Sequence, residues 1–214
     1  MSDHNSEQGG GGTNMTTLDM GKLILNLLLI YLVGGLIIAS VYAKTSPIIF
    51  KNRKEMREKA LKAMMPEAEL IEKMGDWYPH GKHVEYLEAK AGGEIVGYIV
   101  ETLGKGYSSY INTLVALDKD LVILKIDILS HQETPGLGDE ILNPDWKAQF
   151  NGKTLNQLKL VKTESAEYIE AISGATISSR AVTDDGGGGG VRGGVQMLTD
   201  ALAGHPPAQP EGGH

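Results

Sequence analysis

The hydrophobic pattern of the chain begins with one long apolar run, from Leu23 to Ala43, that contains no charged residue. A helix of this length spans about 30 Å, the thickness of the hydrocarbon core of a bilayer. The run therefore predicts a transmembrane helix over 23–43. A cleaved signal peptide is the alternative, because Val41-Tyr42-Ala43 resembles a cleavage site. We favour the anchor, because the run is longer than the apolar region of a signal peptide and the segment before it is acidic rather than basic.

Polar segments flank this run on both sides. Residues 1–22 include a run of glycines and predict a disordered tail. Residues 44–75 predict a juxtamembrane helix or linker, because the helix-forming stretch 51–65 places its apolar side chains on one face. Residues 204–214 predict a second disordered tail. These boundaries leave residues 76–203 as the soluble domain.

Short β-prone runs follow from Val84 onward. The clearest are Tyr110–Leu117 and Leu121–Leu129, which alternate between apolar and polar residues and are separated by Asp118-Lys119-Asp120. This alternation predicts antiparallel strands in a hairpin or meander. With helix-forming segments on either side of these strands, the fold class is α+β: a single N-terminal transmembrane helix, then a domain with an antiparallel sheet and flanking helices.

A run of glycines, Gly186 to Gly190, interrupts the helical pattern that begins near Thr176. Five glycines in place of alanines destabilise a helix by about 5 kcal/mol. Either the helix is therefore divided into two short pieces, or these glycines replace the native residues. Beyond them, residues 191–203 again have a weakly apolar helical face.

Composition narrows the chemistry. A net charge of -7 and the lack of a basic stripe with interleaved aromatic residues argue against a nucleic-acid partner. The sequence has no cysteine, which excludes disulfides, Cys-ligated zinc and Cys-bound iron–sulfur clusters. Any electrons that this chain carries therefore need an organic cofactor. His80 and His83 are spaced like paired ligands, but Gly81 disfavours a helix there and no third ligand is evident, so no metal site is predicted.

The most informative short motif is Ser173-Gly174-Ala175-Thr176, at the predicted start of a helix. A helix start presents unpaired N–H groups and the positive end of the helix dipole, both of which suit a phosphate. The hydroxyl of Thr176 could hydrogen-bond such a phosphate or be joined to it covalently. The alternative is a simple helix cap, since serine and threonine are common at helix starts.

A second motif, His131-Gln132-Glu133-Thr134-Pro135-Gly136-Leu137-Gly138-Asp139, lies about forty residues earlier. Together the two segments, in this order after one membrane helix and a β-rich region, resemble the G subunits of the Rnf-type ferredoxin:NAD oxidoreductases. The C subunit of the sodium-pumping NADH:quinone oxidoreductases is similar. The resemblance covers roughly residues 23–181.

This resemblance implies that Thr176 carries FMN through a phosphoester and that residues 76–203 form an FMN-binding domain. It implies no catalytic residue on this chain, because Thr176 is a tether. The other residues that it places at the cofactor are Ser173, Gly174, Ala175, Ser178, Glu133, Thr134, Gly136, Leu137 and Gly138. One position departs from the family pattern: Glu170 stands where an aspartate is usual, so the charge is kept on a longer side chain.

The function that the resemblance implies is electron transfer within a membrane complex that couples ferredoxin and NAD chemistry to Na⁺ or H⁺ movement. The implied partners are the other subunits of that complex, the lipid bilayer and a flavin transferase that attaches FMN. Two alternatives stay open. One is the equivalent subunit of a Na⁺-translocating NADH:quinone oxidoreductase, and the other is a non-redox, membrane-tethered assembly module whose Ser-Gly-Ala-Thr is only a helix cap.

The side of the membrane on which the domain lies is a point of conflict. The basic residues near the span lie mostly after it, with only Lys22 before it, which places the domain in the cytoplasm by the positive-inside rule. The family resemblance implies the extracytoplasmic side of the cell inner (plasma) membrane. We adopt that side, because partner subunits can override a charge bias and because Glu55 and Glu58 partly offset the basic cluster.

Overall fold

A computed structural model of the chain describes residues 17–205 and residue 207. Most of the two tails predicted from the sequence lies outside the described residues. The described residues form two compact units, which divide between Lys54 and Glu55.

The first unit consists, within its described residues, of helix α1 (Thr17–Met64) as far as Lys54. This helix is long and apolar enough to cross a membrane. It begins earlier than the predicted span, so residues 17–22 are helical rather than part of the disordered tail. The apolar side chains of Leu18 and Met20 extend the hydrophobic pattern in that direction. The helix also runs through Pro47, which has no N–H for the carbonyl of Ala43 but does not end the helix.

The second unit is built around a five-stranded antiparallel sheet in which each strand pairs with the next along the chain. The strands are β1 (Leu70–Trp77), β2 (Val84–Ala91), β3 (Glu94–Lys105), β4 (Tyr110–Leu117) and β5 (Ile123–Ser130). The predicted meander and the α+β class are therefore confirmed. The pairing of β3 with β4 runs from Tyr98 opposite Leu117 to Lys105 opposite Tyr110, which leaves residues 106–109 as the hairpin loop.

Strand β1 lies largely in the segment that was predicted to be a linker, and the boundary expected at residue 76 falls inside it. Its sequence, LIEKMGDW, mixes four apolar residues with three charged ones and a glycine in no regular order, and β1 is an edge strand with most side chains at least partly exposed. Such a strand has no strong apolar alternation. The end of α1 and β1 both pack in the second unit, so this unit begins well before residue 76.

The two faces of the sheet carry separate hydrophobic cores. On one face, the last turns of α1 bury Leu61 and Met64 against Leu87, Ile99 and Leu114. The opposite face holds the larger core, which includes the buried rings of Trp146 and Phe150. Because both faces are covered, most residues of the central strands β3 and β4 are buried.

The larger core is closed by the segments that follow the sheet. Among the described residues these comprise single 3-10 turns over Gly138–Leu142 and Leu155–Gln157, and the elements α2 (Pro144–Ala148), β6 (Leu160–Val161), β7 (Ile169–Glu170), α3 (Thr176–Thr183) and α4 (Val191–Leu202). Strands β6 and β7 pair in parallel as a small second sheet.

The glycine run divides the C-terminal helix into α3 and α4, which matches the first of the two expectations. Two glycines of this region are tightly packed, Gly189 inside the run and Gly193 beyond it, in α4. A Cβ on Gly189 would overlap the carbonyl oxygen of Leu103, and one on Gly193 would overlap that of Gly188. No side chain fits at either position, so glycine is required by close approach of the backbone.

Candidate functional site

The two sequence motifs meet at one pocket of about 410 Å³ in the second unit. Strand β5 ends at Ser130 and delivers the loop 131–139 to its mouth, while α3 begins beside that loop. The hairpin loop 106–109 between β3 and β4 completes the wall. The pocket is lined by Tyr107, Glu133, Thr134, Leu137, Gly138, Gly174, Ala175, Thr176, Ile177 and Ser178.

The start of α3 presents free backbone donors to this pocket. Ala175 is the N-cap residue, and no side chain among the described residues caps the helix. Within the same part of the chain, no acceptor is found for the backbone N–H groups of Thr176, Ile177 and Ser178. Such groups, together with the helix dipole, favour an anion. The interpretation of Ser-Gly-Ala-Thr as a side-chain helix cap therefore has no support in the geometry.

Glycines let the walls of the pocket approach closely. Gly174 has a φ of +80°, a conformation that side chains disfavour, and a Cβ there would lie 3.0 Å from Cδ1 of Leu137. At Gly138 a Cβ would lie 2.8 Å from that of Glu133 and 2.9 Å from Oγ of Ser178. Both motifs therefore use glycine to bring the loop 131–139 against the start of α3.

The carboxylate of Glu133 connects three segments at the base of the pocket. Its Oε1 accepts hydrogen bonds from the backbone N–H groups of Ser108 (3.0 Å) and Ser109 (3.3 Å). Its Oε2 accepts from the backbone N–H of Tyr107 (3.2 Å) and from the hydroxyl of Ser178 (2.5 Å). The residue is buried, with 5% of its surface exposed.

These four donors keep Glu133 ionised. Burial by itself raises the pKa of the carboxyl group, but the hydrogen bonds from Ser178 and from the three backbone amides outweigh burial, so the pKa lies below its ordinary value. Among the described residues that line the pocket there is no lysine, arginine or histidine, and this carboxylate is their one charged side chain.

Apolar side chains form the open rim of the pocket. Tyr107, Leu137 and Ile177 are 75%, 46% and 49% exposed, respectively. Apolar side chains this exposed, together around one cavity, suit a flat hydrophobic ligand that would cover them. Combined with the unpaired amides of α3, the rim gives the pocket both an apolar surface and donors for an anion.

Most of the residues predicted to lie at the cofactor line this pocket, and two do not. Ser173 lies instead in a neighbouring depression of about 310 Å³ together with Glu170, and Gly136 makes the left-handed turn that precedes Leu137. Two further residues line the pocket: Ile177, which was not predicted, and Tyr107, which was a weaker candidate from the sequence because it lies with Gly104 and Gly106 in a turn that resembles one of the family's.

The two histidines considered as metal ligands, His80 and His83, make contacts with different residues. His83 lies within 4.8 Å of Asp76 and Glu85, in an arrangement with the donor set of a metal site. The ammonium of Lys73 already bridges the two carboxylates, at 2.6 Å from Asp76 and 3.1 Å from Glu85. His80 is elsewhere and pairs with Asp185. The cluster at His83 is therefore an ion-pair network on the strands β1 and β2.

Comparison with known proteins agrees with this geometry. Residues 106–184 match the FMN-binding domain family, so the part of the chain that forms the pocket is an FMN-binding domain. The G subunit of a proton-translocating ferredoxin:NAD(+) oxidoreductase complex from Clostridium ljungdahlii is 32% identical over 183 residues, which cover 84% of this chain and 91% of that protein. The chain belongs to this family, the G subunits of the ion-translocating oxidoreductase complexes, which confirms the resemblance.

Two further relatives were found. The G subunit of an ion-translocating oxidoreductase complex from Methanosarcina acetivorans is 30% identical over 177 residues, which cover 78% of this chain and 90% of that protein. Among solved structures, NqrC of Shewanella oneidensis gives a TM-score of 0.48 at 24% identity, covering 66% of this chain and 74% of that chain.

Proposed function

We propose that this chain is the flavin-carrying subunit of an ion-translocating ferredoxin:NAD(+) oxidoreductase and that FMN is esterified to Thr176. The observation that carries the proposal is the pocket itself, which brings Thr176 and the unpaired amides of α3 against the Glu-Thr-Pro-Gly-Leu-Gly loop. The match to the FMN-binding domain supports the cofactor. The names of the relatives support the type of complex.

Different residues of the pocket suit different parts of the cofactor. The N–H groups of Thr176, Ile177 and Ser178 suit the phosphate, and Gly174 leaves the backbone open to it. Leu137, Ile177 and Tyr107 suit the faces of the isoalloxazine ring. When bound, FMN supplies the redox chemistry, and the protein supplies binding, orientation and the exclusion of water.

The ester needs an attaching enzyme, because an unactivated threonine hydroxyl is a poor nucleophile. A flavin transferase that uses FAD as the donor would supply this activation. The Oγ1 of Thr176 bonds to the FMN phosphorus, the diphosphate bond of FAD breaks, AMP leaves and the hydroxyl proton passes to a base of the transferase. Thr176 is only partly buried, so such an enzyme can reach it. The other subunits of the complex are then the electron donor and acceptor.

Mass spectrometry of the full chain tests this proposal. In protein made together with a flavin transferase, we expect the peptide that contains Thr176 to be heavier by the mass of FMN less one water, because ester formation is a condensation. Protein made without the transferase is the control and should have the unmodified mass. An unmodified peptide in the presence of an active transferase would refute covalent attachment at Thr176 and would favour the non-redox assembly module.

We also propose that residues 55–214 lie on the extracytoplasmic side of the plasma membrane. Because the chain has no cysteine, a single cysteine can report its own exposure. We expect Lys162→Cys, at an exposed position, to react with a membrane-impermeant maleimide in intact cells. Thr13→Cys, before the helix, should react only after permeabilisation. The reverse pattern would place the domain in the cytoplasm, as the positive-inside rule predicts.

A further inference from the structure

The side chain of Glu133 lines the pocket, which makes it a candidate for a direct contact with the flavin ring. Its hydrogen bonds argue otherwise. An ionised carboxylate offers about four lone-pair sites, two on each oxygen. Oε1 already accepts from Ser108 and Ser109, and Oε2 from Tyr107 and Ser178. The acceptor capacity of Glu133 is therefore filled by the protein.

The four donors come from two separate walls of the pocket. Three are consecutive amides of the hairpin loop that carries Tyr107, and the fourth is a hydroxyl on α3, two residues after Thr176. Glu133 belongs to the third wall, the loop 131–139. One buried carboxylate thus ties together every segment that lines the pocket.

We propose that Glu133 is a positioning residue, which acts with Ser178 to fix the helix that carries Thr176 against the loop that carries Tyr107. This inference rests on the proposed function for what the pocket holds, but the contacts on which it depends belong to the protein alone. Glu133 is thus not a flavin ligand. We call its carboxylate, with the four hydrogen bonds that it accepts, the brace. The hydroxyl of Ser178 is committed to the same brace, so only its backbone N–H is left for a phosphate.

The surroundings of the brace make it selective for a carboxylate. Gly106 and Gly138 approach it so closely that a Cβ on either would lie within 3.0 Å of Glu133 or Ser178 atoms. A glutamine at residue 133 keeps one acceptor oxygen but turns an NH₂ group towards two donors. An aspartate is shorter by one methylene and does not reach both walls.

Hydrogen exchange on the full chain without flavin tests the brace directly. In Glu133→Gln we expect the amides of Tyr107, Ser108 and Ser109 to exchange about tenfold faster, because each loses a charge-assisted bond or its geometry. The matched control is Asp118→Asn, which changes another carboxylate that accepts two backbone amides, those of Asp120 and Val122, but lies between β4 and β5, outside the pocket lining. Wild-type exchange of residues 107–109 in Glu133→Gln would overturn the proposal.

The flavin-loaded protein separates a brace from a ligand. The visible circular dichroism of a covalently held flavin reports how rigidly the ring is fixed. Measured per mole of covalently bound flavin, we expect Glu133→Gln and Ser178→Ala each to reduce it to less than about half, and the double variant to lose no more than Glu133→Gln alone. Asp118→Asn should keep the wild-type spectrum.

Two results would refute the brace in this second experiment. A wild-type spectrum in Ser178→Ala beside a lost spectrum in Glu133→Gln would make Glu133 a direct ligand. Additive losses in the double variant would make the two residues independent. If the wild-type chain carries no covalent flavin, the proposed function fails, while the exchange of the amides at 107–109 still decides the role of Glu133.

Discussion

Replacing Thr176 with alanine is expected to remove all covalently bound flavin from the chain. The hydroxyl of Thr176 lies in the pocket, at the first turn of α3, where three backbone N–H groups have no acceptor within the part of the chain that the structure describes. No phosphoester can form on a methyl group, so the loss should be complete rather than partial. The measurement is in-gel fluorescence of denatured protein made together with a flavin transferase.

The control for this change is Thr176→Ser, which keeps the hydroxyl and removes only the methyl group. We expect this variant to keep a fluorescent band, because the oxygen that forms the ester is still present. A band that survives denaturation in Thr176→Ala would place the ester on another hydroxyl, with Ser173 and Ser178 as the nearest in the motif. Because Ser178 donates its hydroxyl to Glu133, Ser173 would then be tested first.

Replacing Asp185 with alanine is expected to lower the free energy of unfolding of the second unit by about 3 kcal/mol. The carboxylate of Asp185 is only 2% exposed and accepts the backbone N–H groups of Gly187 and Gly189, both at 2.9 Å. It also accepts the N–H of Lys105 at 3.3 Å and pairs with His80. Removing it leaves the N–H groups of Gly187, Gly189 and Lys105 without this acceptor.

The neighbouring residue gives a matched control for this prediction. The side chain of Asp184 is more exposed, accepts one amide and makes one long ion pair with Arg192 at 3.6 Å. We expect Asp184→Ala to cost less than about 1 kcal/mol. Trp77 and Trp146 are buried in this unit and report its unfolding by fluorescence in denaturant. Equal, small effects of the two changes would show that the Asp185 contacts do not stabilise the loop.

The pH dependence of Asp185 follows from the direction of its pKa shift. Burial raises the pKa of this carboxyl group, but the hydrogen bond with His80 and those from Gly189, Gly187 and Lys105 outweigh burial, so the pKa is lowered. A carboxyl group with a lowered pKa in the folded state stabilises the fold above its unfolded pKa, which is about 4. That contribution is lost as the pH falls through the lower, folded pKa.

Features with local sequence signals were predicted from the sequence. The uninterrupted apolar run predicted helix α1, and the alternation of apolar and polar residues in β4 and β5 predicted the meander. The family was identified from two short motifs, and the relatives confirm it. That these motifs share one pocket followed only from the resemblance, since no local pattern says that residue 133 lies beside residue 178.

The missed features depend on contacts between distant residues or with the backbone. Glu133 and Asp185 accept hydrogen bonds from backbone amides. Every residue except proline has such an amide, so the type of the partner residue does not reveal the contact. Asp185 also pairs with His80, far away in the sequence, and their pairing gives no periodic pattern. Gly189 looks like a flexible residue in the sequence, yet the carbonyl of Leu103 excludes any side chain there. Edge strand β1 was missed because its apolar and polar residues do not alternate regularly, most of its side chains being at least partly exposed.

The place where α1 ends affects how a water-soluble fragment could be prepared. Leu61 and Met64 cover the face of the sheet that carries the smaller hydrophobic core, although they lie on the same helix as the membrane-spanning residues. Truncation at residue 76 would remove this cover together with most of β1, and would expose Leu87 and Ile99 to solvent. A fragment freed from the membrane therefore has to start near Glu55, so that the protein keeps the amphipathic end of its anchor as part of its own interior.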